Sequence, residues 1–487
     1  MIEQPPLSHM LSIVRQGLPK TNDPKKIIIV GAGMAGLVAA AQLKDAGHDV
    51  IVLEADQRVG GRVFTVRSPF SPGLYYEGGA ARVPENHHLF WEYVRKFKLT
   101  SHPFINSTPN DLFYVNGVMT RRYLYNENPD LLGFQVTADE KGKTALELFD
   151  FVVKTISPYV SRYAPLKPGE VPALIDKYTL DTFLQANPFV PSLSPSAIEK
   201  IKVLLGLQGF SEYSVYSIVQ ILLPWFEAAP QFHAIEGGND RLPYQLYEQL
   251  KNEVRLNEKV TRIEVVHDEV FLTSTNKLSL QQSITKADFA IITIPFSSLN
   301  LVQIEPKSAF SKRKWHAIRN LRYIAATRIG IEFKSRFWES VGVHGGQTVT
   351  DLPSRFIYYP STGIGSKGPA VVTASYTLGA DTLPLDSLSD YERVNILLRD
   401  LAQIYGNVVY KEYVAYFSVN WRQQSDIAGG AVPMLKAGDI ANLLPYLSTP
   451  EHRIHFAGDH ASSYPGWIEG AIESGIRAAC EVASSEI

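Results

Sequence analysis

Apolar positions along this chain follow two periods, and the stretches where each period holds outline a fold. Leu7, Met10, Leu11 and Val14 recur every three or four residues, which predicts a short amphipathic helix packed on the body. "IIIV", from Ile27 to Val30, is instead a continuous apolar run ending in glycines, the pattern of a buried parallel strand. Met34 to Ala46 is rich in Ala and Leu and predicts a helix stopped by Gly47. "HDVIVLEA" predicts the next strand, so the region reads as a β-α-β unit with short loops.

Similar signals return in the middle and at the end. "RLPYQLYEQL" predicts a helix, "EKVTRIEVVHDEVFLTST" alternates as hairpin strands do, and "ADFAIITIP" predicts a buried strand stopped by Pro295. "HRIHFAGDHA" predicts a strand running into a loop, and "GAIESGIRAACEVAS" a helix. Together these pieces predict one nucleotide-binding domain, interrupted twice. The first interruption carries helical spacing in "ALELFDFVVKTI" and "AIEKIKVLLGL". The second is rich in β-branched and aromatic residues, in "TRIGIEF", "RFIYYP", "AVVTASYTL" and "EYVAYFSVNW", and predicts a sheet. The expected division is 26–65, 236–315 and 443–487 for the nucleotide domain. Residues 1–25, 66–128 and 316–442 are expected to form a substrate domain, and 129–235 a helical one.

Composition narrows the function classes. With 487 residues, 45% of them hydrophobic and 20% charged, the chain has material for two or three packed domains. A formal net charge of -2 offers no basic excess to track a phosphate backbone, so nucleic acid is not an expected partner. The sequence shows no uninterrupted apolar run of about 18 residues and no secretory signal pattern, so no membrane span and a cytoplasmic location are expected. The single cysteine, Cys480, can form no intrachain disulfide, fits a reducing compartment, and reads as a small packed filler. His87 and His88 lack a third ligand at useful spacing, so no metal site is expected.

The candidate chemistry begins at Gly31, Gly33 and Gly36, a G-x-G-x-x-G that follows a strand and opens a helix. These glycines permit a tight turn and close approach of a pyrophosphate to a helix N-terminus. Glu54, ending the next strand, can accept hydrogen bonds from ribose hydroxyls and repels a 2′-phosphate. Gly60 and Gly61 can form a second anion nest, with Arg62 adding charge, a feature a plain NAD enzyme does not need. In "FAGDHASSYPGWIEGAIESGIRAA", Gly470, Ala471 and Gly475 would let a flat ring lie near the backbone, and the helix start would favour negative charge on a reduced flavin. Asp459 is placed to bind a ribityl hydroxyl.

"VGAGMAGL", "VLEA", "GGR", "EGGAARVPENHH", "RFWESVGVHGGQTVTDLPSRFIYYP" and "GDHASSYPGWIEGAIESGIRAA" together resemble FAD-dependent L-amino-acid oxidases of the flavin amine oxidase family, venom-type enzymes most of all. The resemblance implies an α/β protein: a discontinuous Rossmann-like FAD-binding domain, a mixed-sheet substrate domain and a helical insertion. It also implies oxidative deamination, in which an L-amino acid yields a 2-oxo acid and ammonia while O2 becomes hydrogen peroxide. The family's assembly implies a homodimer or a dimer of dimers.

Matched residue by residue, the resemblance assigns non-covalent FAD contacts to Gly31, Gly33, Met34, Ala35 and Gly36, then to Glu54, Ala55, Gly61 and Arg62. Further contacts fall on Gly79, Ala80, Ala81 and Arg82, on Val260 through its backbone to the adenine, and on Gly458, Asp459, Gly466, Trp467, Ile468 and Ala471. Arg82 matches the arginine that binds the substrate carboxylate, for which a planar guanidinium is suited. Tyr376 matches a tyrosine supporting that carboxylate, and the Gly466 carbonyl, before Trp467, matches the acceptor for the amine. Trp421 would wall the substrate.

Two positions depart from the family. Arg328 stands where a lysine commonly holds a water, and an arginine can position a water but not release a proton. The venom-type active-site histidine has no counterpart in "SIVQILLPWFEAAPQF", where Leu222 or a neighbour takes its place. That change favours apolar or aromatic substrate side chains. His460 lies near the expected flavin, to pack or to cap. Open alternatives are an amino-acid monooxygenase or dehydrogenase of the same family, an amine oxidase without carboxylate recognition, an NAD-dependent dehydrogenase, and a non-catalytic flavin-binding protein.

Overall fold

A five-stranded parallel sheet organises the computed structural model, which describes residues 5–156, 173–222, 231–427 and 430–485. Its strands run in the order Val254–Arg255, Asp49–Leu53, Lys26–Val30, Phe289–Ile292 and Ile454–Phe456, and every pairing is parallel. The sequence pattern of the central strand follows from its place. Ile27 and Ile29 point into one core, Ile28 and Val30 into another, so both faces need apolar side chains.

On the first face lie the helices Met34–Ala46 and Ile468–Ser484, and the former ends at Gly47 in a left-handed conformation. These helices cross closely: a Cβ on Gly475 would stand 2.5 Å from the Ala35 carbonyl oxygen. Gly470 likewise abuts Ser462 and the Tyr464 carbonyl. Both glycines therefore serve packing rather than a flat ring, which corrects the expectation for them. The opposite face is covered by the hairpin Glu258–Val266/Glu269–Asn276 and the helices Lys312–Asn320 and Ile440–Leu447.

A seven-stranded mixed sheet holds all four segments read as β. Its order is Tyr413–Asn420, Ala326–Phe333, Ala370–Leu378, Phe356–Tyr358, Gln347–Thr350, Leu112–Val115 and Val118–Arg121. Only the pairing of Gln347–Thr350 with Leu112–Val115 is parallel. A helix not anticipated within that stretch, Asp390–Tyr405, starts at a Ser389/Glu392 capping box and buries Leu397 and Leu401 against Ile329, Ile331 and Phe333.

The helical insertion contains Ala145–Val153, capped by Thr144, and Pro195–Leu205, capped by Ser194. At its end, however, Phe232–Ile235 is a strand, paired with Val83–Pro84 and Ser101–Pro103. The N-terminal helix spans Leu7–Gln16 and buries Met10, Ile13 and Val14. It joins the same core as Met34–Ala46 and Ile468–Ser484, and Arg15 pairs with Glu92 through two hydrogen bonds of 3.0 and 2.9 Å. Among the described residues, no helix is long and apolar enough to cross a membrane.

Candidate functional site

The strands Lys26–Val30, Asp49–Leu53, Phe289–Ile292 and Ile454–Phe456 all end at one cleft of about 1210 Å³, its mouth included. Ligands of open parallel sheets bind in this place. Gly31, Gly33, Met34 and Ala35 line it from the first loop, Glu54, Gly61 and Arg62 from the second, and Gly79 and Ala80 from the third. Gly458, Asp459, Gly466, Trp467, Ile468 and Ala471 close it from the far end of the chain.

Backbone geometry explains the glycines. Gly31 has φ +106°, and a Cβ there would lie 2.7 Å from the Thr293 hydroxyl. Gly36 does not line the cleft; it packs beneath Gly31, where a Cβ would fall 2.0 Å from the carbonyl oxygen. Gly33 caps the helix Met34–Ala46 and faces open space. Gly60 and Gly61 both have positive φ, and the Gly60 N–H donates to the Ala32 carbonyl at 2.9 Å, which ties the second glycine loop to the first and leaves that N–H unavailable to the expected anion nest. Glu54 accepts from the backbone N–H of Ala32 (2.6 Å) and of Asp56 (2.8 Å), with burial raising its pKa. Each carboxylate oxygen keeps a lone pair for a ribose hydroxyl. The cradle thus fits a dinucleotide whose ribose meets an acid and whose pyrophosphate meets free backbone N–H groups.

Arg62 and Asp459 face each other across this cleft. Arg62 donates to both Asp459 oxygens, at 3.0 and 2.5 Å, and to the Ala431 carbonyl at 2.8 Å. Asp459 also accepts from the Gly466 N–H at 3.1 Å. This pair ties the second glycine loop to the C-terminal helix start. Ala55 and Val260 lie outside the cleft wall, and Val260 is a core residue beside a bulge in the hairpin.

Toward the mixed sheet the cleft meets Arg328, Tyr376 and Trp421. Arg328 is buried, donates to the Gly79 carbonyl at 2.6 Å, and stacks 4.5 Å from the centre of the Tyr376 ring. Trp421 donates from Nε1 to the Gly78 carbonyl at 2.9 Å. Both side chains therefore pin the glycine turn that lines the cleft. Arg82 stands one layer further out, in a box of rings: Tyr358 at 5.0 Å, Phe104 at 5.5 Å and Phe232 at 5.8 Å. Tyr358 in turn lies 6.4 Å from Tyr376, so aromatic contacts connect Arg82 to the cleft. Burial, reinforced by the charge of Arg82, lowers the Arg328 pKa. Ala81 faces a second cavity instead of the cleft.

Several expected or overlooked residues find their places here. Tyr358, Phe104 and Phe232 were missed by sequence reading, although Tyr358 sits in the quoted segment "DLPSRFIYYP". Trp467 meets His87 edge to face at 5.1 Å, and its Nε1 donates to the Ile221 carbonyl at 3.4 Å. Leu222 ends the helix Val215–Leu222, and the remainder of that expected pocket wall, 223–230, lies outside the described residues. His460 does not line the cleft; it packs against Phe296 at 4.6 Å, and burial pushes its pKa down to about 3. Cys480 lies on the C-terminal helix, where burial pushes its thiol up to about 11. No histidine occurs among the described residues lining the cleft.

Residues 34–483 match the family described as flavin containing amine oxidoreductase. The chain belongs to this family. As a flavin-containing amine oxidoreductase it has a flavin as the ligand for the cradle above. Relatives similar over nearly the whole chain include "Putative L-amino-acid oxidase YobN" of Bacillus subtilis (strain 168), 42% identical over 97% of this chain and 98% of its own. The L-amino-acid oxidase of Vipera ammodytes ammodytes is 34% identical over 97% of this chain and 95% of its own. The solved cyclohexylamine oxidase from Brevibacterium oxydans IH-35A shares the amine oxidoreductase fold, with a TM-score of 0.77, 21% identity, and coverage of 95% and 99% of the two chains.

Proposed function

We propose that this amine oxidoreductase oxidises the α-amino group of L-amino acids with apolar or aromatic side chains, or a broad range of them. The products are a 2-oxo acid, ammonia and hydrogen peroxide. The observation carrying this reading is Arg82, a guanidinium held in an aromatic box one ring away from the flavin cleft. A plain amine has no carboxylate for it, whereas an amino acid does. The relatives named L-amino-acid oxidases support the same reading.

FAD, bound non-covalently, would supply a two-electron acceptor and the chemistry with O2. Glu54 and the glycine loops would hold its ribose and pyrophosphate, and the N-terminus of Ile468–Ser484 would favour negative charge on the ring. Arg82 pairs with the substrate carboxylate, and Tyr376 supports it. Trp421 walls the substrate, and the Gly466 carbonyl accepts a hydrogen bond from the amine. Arg328 keeps its proton and orients a water instead of acting as a base. The amine therefore arrives neutral from solution. A homodimer or dimer of dimers is the proposed assembly.

A monooxygenase or dehydrogenase of the same family is the second reading, favoured by Arg328 in place of lysine. Product analysis decides between them: 2-oxo acid with peroxide supports the oxidase, an amide the monooxygenase, and 2-oxo acid without peroxide a dehydrogenase.

A further inference from the structure

Behind Arg328 lies a second cavity of about 780 Å³, its mouth included. Arg328 lines both cavities, so it forms the wall between them. Arg336 lines the second one as well, with a side chain only 8% exposed. Neither guanidinium is satisfied. The Nε of Arg328 and the Nε of Arg336 are buried without a hydrogen-bond partner among the described residues. His102 lines the same cavity, but its Nδ1 donates to the Pro103 carbonyl at 3.0 Å, which leaves Nε2 as the ring's acceptor. Arg328 pairs with no carboxylate among the described residues, and Arg336 has only Glu339, at 3.4 Å. Burying unpaired donors of this kind costs several kcal/mol unless something completes them, on the order of 1–3 for each.

Five aromatic rings line the cavity, those of Tyr75, Tyr76, Phe104, Tyr358 and Tyr359, beside the hydroxyls of Ser361, Thr362 and Thr373. The Tyr76 hydroxyl bonds to the Phe417 carbonyl at 3.0 Å, Tyr75 accepts from the Gly237 N–H at 3.2 Å, and Tyr359 meets Thr348 at 2.8 Å. Rings, the two Nε–H groups and a few hydroxyls are what remain for a ligand. Glu77 is the only carboxylic acid among the described lining residues. Its two oxygens each accept one bond, from the Asn239 N–H and the Thr65 hydroxyl, both at 2.8 Å. Burial pushes its carboxyl up to about 8, so near neutral pH an ammonium group would find no charged partner here, whereas a carboxylate would find donors.

We propose that this second cavity is a binding site for a small carboxylate lacking an ammonium group and carrying an apolar or aromatic tail, with the Arg328 and Arg336 Nε–H groups as its donors. A 2-oxo acid has this chemistry, and its choice as ligand rests on the proposed reaction; the site itself rests on the donors and the cavity. Occupation of the site would place a product beside the side chain that also borders the flavin cleft, and so couple product level to turnover.

The test is calorimetric titration of phenylpyruvate into the flavin-loaded protein, alongside Arg336→Met. The expected result is two sites per chain in the native protein, with Arg336→Met weakening one at least tenfold and sparing the other. Steady-state inhibition by phenylpyruvate against L-phenylalanine should change from mixed to competitive, with kcat/KM for L-phenylalanine unchanged. Thr362→Trp, at the exposed mouth, should abolish the same site if Arg336→Met does not fold. A native protein in which no phenylpyruvate site is weakened by either variant overturns the proposal. If no L-amino acid is oxidised, the reaction reading fails, yet the titration still decides the site.

Discussion

Replacing Arg82 with methionine separates carboxylate recognition from everything else in the molecule. Methionine is long and flexible enough to fill the space among Tyr358, Phe104 and Phe232, so the box keeps its packing. Arg82 does not line the flavin cleft, so flavin content should stay the same. What is lost is a two-pronged, charge-assisted contact to a carboxylate that would sit in a largely enclosed site. Removing one partner of such a pair costs about 3–5 kcal/mol, which is a loss of about 140- to 3700-fold in kcat/KM, each 1.4 kcal/mol being tenfold. The assay is initial-rate peroxide release from L-phenylalanine, run beside phenethylamine, which has the same ring and amine but no carboxylate. The loss should be large for the amino acid and small for the amine. Equal losses for both, or an unchanged apparent affinity for L-phenylalanine, would refute the role given to Arg82.

Gly36→Ala should give a protein without bound flavin, because its Cβ would fall 2.0 Å from the Gly31 carbonyl oxygen; flavin absorbance of the purified protein reads this directly. Arg328→Lys puts a side chain able to release its proton beside the held water and should speed the reaction of the reduced protein with O2 by about tenfold or more, while reduction by amino acid changes little; stopped-flow traces of the two half-reactions separate these. Burial pushes the Glu77 carboxyl up to about 8 from 4.5. The folded state therefore holds this proton more tightly, and the stability it confers is complete below pH 4.5 and fades as pH rises through 8. Thermal melts at acid and alkaline pH should show Glu77→Gln with a smaller loss across that window than the native protein.

Much of the nucleotide cradle was legible because its sequence signals are local. Gly31, Gly33 and Glu54 must follow strands directly, so one short window contains both the pattern and its purpose. The small residues of the last helix were read less well. Spacing alone does not say which side of a helix meets a neighbour, and Gly470 and Gly475 turned out to serve backbone packing while Ala471 faces the cleft. Phe232–Ile235 escaped because a four-residue strand after a helical stretch has too few positions to establish a period. Asp390–Tyr405 carried a clear start signal in Ser389 and Glu392, but the β-rich segments on either side drew the reading toward a sheet. Tyr358, Phe104 and Phe232 come from separate segments and meet only through the fold, so no local pattern marks them as partners of Arg82. The same is true of Arg328 and Arg336, whose common cavity exists only in three dimensions.

The central claim is that this flavin-containing amine oxidoreductase acts on L-amino acids through their carboxylates. Anaerobic mixing of the yellow protein with L-phenylalanine, D-phenylalanine or phenethylamine tests it most directly, with flavin bleaching as the signal and peroxide measured when air is admitted. The L-enantiomer alone should bleach the flavin rapidly, with peroxide and phenylpyruvate following in equal amounts. Bleaching by phenethylamine at a rate equal to or above that by L-phenylalanine, or a flavin that no L-amino acid reduces, would contradict it.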